Sequence, residues 1–131
     1  MKRSFVAILF AGAFLLLACH QEPDQGELAA QAAKLYYEQL AQGKFEAFVD
    51  GHFQPDSIPG DYRSQLIENA KMFIGQQKEE HQGIKDVRVA GVKADTARHV
   101  ANVFLVFHYG DSTHEEIVVP MIHYKDLWYM K

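Results

Sequence analysis

Between Gly83 and Ile84 the spacing of apolar residues changes from helical to alternating, and this switch limits the chain more than any other feature. Upstream, apolar side chains recur every three or four positions; downstream they recur every second one. Helices that all precede strands exclude an alternating β-α-β plan. What remains is an α+β domain with its helices on one face of an antiparallel sheet.

The helical half divides in three. Ala29, Ala33, Tyr36, Tyr37 and Leu40 share one stripe and Gly43 follows as a stop, so a helix is expected over about 27–42. Phe45, Phe48, Val49 and Phe53 form a shorter stripe, interrupted by two prolines in HFQPDSIPGD. A third helix is expected from near Asp61, with Tyr62, Leu66, Ala70, Phe73 and Gln77 on one side and Ile67 and Ile74 widening it; Gly83 closes it. Strands are then expected over about 84–94, 97–109, 113–124 and 127–131. The links Asp95-Thr96, Gly110-Asp111-Ser112 and Lys125-Asp126 are short enough to make these four strands a meander.

The N-terminus carries an address. Lys2 and Arg3 precede Phe5–Leu17, thirteen residues without a charge. As a helix that run spans about 20 Å against about 30 Å of bilayer hydrocarbon, which fits a signal peptide better than a permanent span. Leu16-Leu17-Ala18-Cys19 resembles the lipobox of bacterial lipoproteins. The resemblance implies cleavage after residue 18, lipid on Cys19, and a membrane anchor held by two or three acyl chains. The expected organisation is a signal peptide over 1–18, a lipidated cysteine and polar tether over 19–26, and a single domain over 27–131. His20 stands where an aspartate would resemble an inner-membrane retention signal, so the outer membrane of a bacterial envelope is the expected location. Its periplasmic and surface sides are both open.

Cys19 is the only cysteine, so the core rather than a disulfide must stabilise a mature chain of about 113 residues, enough for one domain. Without Lys2 and Arg3, eleven basic residues face seventeen acidic ones, a net charge of −6 with histidines neutral. That balance argues against nucleic acid as a partner.

LYYEQLAQGKFEAFVD (35–50), GIKDVRV (83–89), ANVFLVFHYGDSTHEEIVVPM (101–121) and DLWYMK (126–131) together resemble the nuclear transport factor 2-like (cystatin-like) superfamily. Within it they resemble small lumazine-binding-like bacterial lipoproteins of unknown function. Asp126 is followed by Leu127, where the family commonly has glycine. The resemblance implies a cone-shaped half-barrel, three helices on a curved four-stranded meander, with a mouth able to hold a small ligand. Some members isomerise, cyclise or dehydrate small molecules with an aspartate, histidine or tyrosine in that cone. No motif here matches their catalytic patterns.

Chemistry-bearing residues are therefore weighed singly. Tyr36 and Tyr37 are adjacent on the first helix, where one hydroxyl could reach a ligand, or simply cap a core aromatic. Asp50 and His52 end the second helix, either as an acid–base pair or as a solvated acid beside a helix-covering imidazole. A three-residue loop over 110–112 sets His108 opposite His114 and His99 opposite His123. Each pair could share a metal, yet neither has an evident third protein ligand. No metal or other cofactor is called for.

In the same register Val103, Leu105, Phe107, Ile117, Val119 and Met121 share one face, and Val100, Phe104, Val106, Val118 and Ile122 the other. Helices can cover only one, so the second set is expected to form an interface, with another copy of the chain or another envelope protein. The functional expectation is a membrane-anchored envelope lipoprotein with a non-catalytic domain that binds a small ligand or a protein. The alternative is a small isomerase, dehydratase or cyclase using Tyr36 or Tyr37 with Asp50 or His123.

Overall fold

A computed structural model describes residues 24–131; the expected signal peptide, Cys19 and the tether up to residue 23 lie outside the described residues. Helix α1 spans Gln25–Ala41, and so begins before the expected residue 27 and absorbs the end of the tether. The cause is Asp24, whose carboxylate accepts from the Glu27 amide at 3.3 Å and caps the first turn. Ala29, Ala30 and Ala33 are buried, and side chains this small let α1 lie close on the sheet. Gly43, at φ 82°, then turns the chain into α2, Phe45–Asp50.

Helix α3 runs Gly60–His81 and buries Ala70, Ile74 and Gln77. It ends on two left-handed residues, Gln82 and Gly83. Strands β1 (Ile84–Asp95), β2 (Val100–Tyr109), β3 (His114–Tyr124) and β4 (Leu127–Met130) form one open antiparallel sheet in sequential order. This is the expected α+β architecture: three helices on a four-stranded meander.

The β2–β3 register runs from Val100 opposite Ile122 to His108 opposite His114, as the three-residue loop requires. Two details differ from expectation. Strand β2 starts at Val100 rather than 97, because Thr96–Arg98 winds into a 3-10 turn whose Arg98 amide is held by Asp95. Strand β1 pairs with shifts at Ile84/Asp86 and Val89/Gly91, and such bulges increase twist. The Lys125-Asp126 hairpin has positive φ at both residues, 48° and 66°, as a I′ turn needs, although neither is glycine.

Val103, Leu105, Phe107 and Met121 are fully buried beneath α1, each contributing roughly 1.5–3 kcal/mol. A second, smaller cluster of Leu40, Ala70 and Ile74 joins α1 to α3. On the other side of the sheet Val100, Phe104, Val106 and Ile122 are half-buried and Val118 is 53% exposed. No helix in the described residues is long and apolar enough to cross a membrane.

Candidate functional site

After α2 the chain is stitched to the end of the sheet. Met130 donates its amide to the Gly51 carbonyl at 2.8 Å, and Phe53 donates to the Met130 carbonyl at 2.6 Å, making a parallel bridge between His52 and Met130. This stitch ties the start of residues 52–59 to the end of β4. With Pro55 and Pro59 stiffening it, the segment forms one wall of a cavity of about 680 Å³, a size typical of small-molecule sites. Tyr37 and Leu40 of α1, Phe48 of α2, and Leu66 and Phe73 of α3 supply much of the remaining, mostly apolar lining.

The resemblance implied a mouth able to hold a small ligand without assigning its walls; this cavity lies between the helices and the 52–59 segment, and only Lys131, just after β4, joins it from the sheet side. The reason is packing. Alanine-rich α1 sits directly on the sheet, and Tyr36, Tyr37, Phe107 and Trp128 fill the space that would otherwise open there.

His52 lines the cavity with a defined orientation. Its Nδ1 lies 3.2 Å from the Phe48 carbonyl and 3.3 Å from that of Val49. A carbonyl can only accept, so Nδ1 carries the hydrogen and donates, and Nε2 on the far edge of the ring is left for a ligand. The ring also stands edge-on to Phe48, centroids 5.1 Å apart. Tyr37 packs between Phe48 and Phe107 at 5.2 and 5.5 Å, and burial pushes its phenol above the ordinary value.

The other residues singled out from sequence are placed elsewhere. Tyr36 donates its hydroxyl to the Trp128 carbonyl at 2.7 Å; burial, and secondarily Tyr129, raises its phenol. Asp50 does not meet His52: it takes two hydrogen bonds from Arg63, at 3.1 and 2.9 Å, and ties α2 to α3 at the surface. His123 stacks on Trp128 at 4.7 Å, and the Trp128 indole donates to the Gln25 side chain at 3.1 Å. His99 lies 6.3 Å from His123 and His108 lies 6.0 Å from His114, ring to ring, so both cross-strand pairs form. Among the described residues no three His, Cys, Asp or Glu side chains converge on a metal position.

One polar cluster escaped the sequence reading altogether. The β2–β3 loop docks on the end of α3, where Gly110 and Asp111 donate their amides to the Gly83 and His81 carbonyls at 2.9 and 3.0 Å. A Cβ on Gly110 would meet the Gln82 carbonyl oxygen at 2.6 Å, so only glycine permits this approach. His81 stacks on Tyr109 at 4.3 Å and meets Asp111 at 3.0 Å, while Tyr109 donates to Glu115 at 2.7 Å. Hydrogen bonds from Thr113, then His81, hold the Asp111 carboxyl down to about 2; burial, then Glu115, raises Tyr109. About thirty positions separate His81 from Asp111, and no local pattern announces such a contact.

No protein-family model matches the chain, and no curated protein matches it. Solved structures do. A Campylobacter jejuni protein described as an NTF2-like transpeptidase is similar with a TM-score of 0.62 at 11% identity, over 75% of this chain and 92% of that one. A SEC-C motif containing protein from Rhodopseudomonas palustris is similar with a TM-score of 0.53 at 15% identity, over 88% and 82%. At these identities the likeness is one of fold, and the fold is NTF2-like.

Proposed function

We propose that this chain is a bacterial envelope lipoprotein, anchored through Cys19, whose NTF2-like domain binds a small apolar ligand in the cavity beside His52. The observation that carries the reading is the cavity: about 680 Å³ and walled largely by aromatic and aliphatic side chains. Of the catalytic candidates named from sequence, Tyr37 and His52 line it, and Asp50, the acid expected beside His52, does not. Tyr36, Asp50 and His123 are committed to Trp128, Arg63 and Trp128 respectively, which favours binding over catalysis. The transpeptidase description belongs to the Campylobacter protein and reaches this chain only as a fold.

The anchor rests on Leu16-Leu17-Ala18-Cys19 behind an uncharged run of signal length. In a bacterial host, the full chain should fractionate with membranes and yield an N-terminal peptide beginning at an acylated Cys19. The Cys19→Ser variant should keep its signal peptide. An unmodified Cys19 in a processed chain would remove the anchor.

For the outer sheet face, the proposed partner is a second copy of the chain. Val118 stands exposed among half-buried Phe104, Val106 and Ile122, and no described element covers them.

A further inference from the structure

We infer that the ligand of this cavity is a fatty acid, recognised by its carboxyl group and not only by its chain. The inference rests on the cavity being a binding site and adds the chemistry of the head group.

The cavity lining is long on hydrocarbon and short on polar atoms, and its two cation-capable residues, His52 and Lys131, both border the stitch. The stitch that pairs His52 with Met130 also brings Lys131 alongside Phe53. Lys131 is fixed there by its own amide, which donates to the Pro120 carbonyl at 2.9 Å. The cavity therefore has an apolar interior and one corner, at the stitch, that His52 and Lys131 both line.

A carboxylic head fits that corner whichever partner holds the proton. As an acid it donates to Nε2 of His52; as a carboxylate it accepts from the protonated ring and from Lys131. An alcohol can make one neutral hydrogen bond there, and an ammonium is repelled by Lys131. The other charged or titratable groups on the lining are Asp56, exposed on the 52–59 segment, and the phenols of Tyr37 and Tyr62. Asp50 and Arg63 lie outside and satisfy each other. Phe48, Leu66 and Phe73 face the alkyl chain.

The test uses the full chain in bacterial membranes and a dodecanoic acid carrying a diazirine on its alkyl chain. After irradiation, labelled peptides are mapped, and labelling is competed with dodecanoic acid, dodecanol and dodecylamine. The label should fall on peptides containing residues 48–73, and the acid should compete about tenfold better than the alcohol, the margin expected of a charge-assisted hydrogen bond. His52→Gln should reduce that margin toward unity. Lys131→Gln should reduce it too, and its side chain is exposed and outside the core, so the test survives if His52→Gln does not fold. Equal competition by acid and alcohol overturns the head-group inference while leaving the cavity a binding site. Labelling outside residues 48–73, or none, overturns both.

Discussion

Gly51 shows how one missing atom positions the site. A Cβ there would lie 2.5 Å from the Tyr36 ring, so this glycine is set by close approach, its φ of −75° being open to any residue. Gly51→Ala should push Tyr36 off the Trp128 carbonyl and destabilise the chain by about 1–3 kcal/mol in a urea melt. Gly60→Ala, at the start of α3 with open space around it, is the matched control and should be neutral or slightly stabilising. Asp111 gives a residue-scale pH prediction. Its folded pKa, about 2, lies below its unfolded value, so its bonds to Thr113 and His81 stabilise the fold above pH 4 or so, and that contribution is lost as pH falls from about 4 to about 2. Asp111→Asn should therefore be less stable than the parent at pH 7 and close to it at pH 2, as urea midpoints at the two pH values would show. A constant difference would mean that the Asp111 charge is not what the loop uses.

Among elements, the hairpin loop and helix end that meet at Gly110 are the sharpest test of long-range packing. Gly110→Ala places a Cβ against the Gln82 carbonyl and should lower the thermal midpoint by several degrees without altering the β2–β3 register, which hydrogen exchange of the strand amides would read. The strands themselves were readable because alternation over Val103, Leu105 and Phe107 is a local signal and because a three-residue loop leaves one register. The bulges in β1 and the 3-10 turn at Thr96–Arg98 were not: both follow from individual hydrogen bonds, such as Asp95 to Arg98, that periodicity does not encode. The cavity was legible only as a family expectation, without its walls assigned. Its walls come from α1, α2, residues 52–59, α3 and Lys131, brought together in part by the bridge between His52 and Met130, and neither residue carries a pattern that foretells the other. That one of Tyr36 and Tyr37 points inward was readable, but not which of them lines the cavity. The orientation of His52 was not, since it depends on which carbonyls end α2.

At the scale of the whole molecule, one sheet face is filled by α1 and the other is covered by no element among the described residues, although both are apolar. Association through the open face predicts a dimer at tens of micromolar in sedimentation equilibrium, and Val118→Asp should give monomers with an unchanged far-ultraviolet spectrum. A parent monomer at that concentration removes the second copy as partner. The cavity lies beside the three helices, away from that face, so ligand occupancy and association should be independent. The central claim is that the space between α1, α2, α3 and residues 52–59 holds a small molecule, and native mass spectrometry tests it most directly. The full chain, expressed in a bacterium and released from detergent in the spectrometer, would be weighed before and after denaturation beside Asn69→Trp, which fills the cavity from an exposed position on α3. The account predicts a discrete small mass on the parent, lost on denaturation and missing from Asn69→Trp; no such mass, or the same mass on both proteins, would contradict it.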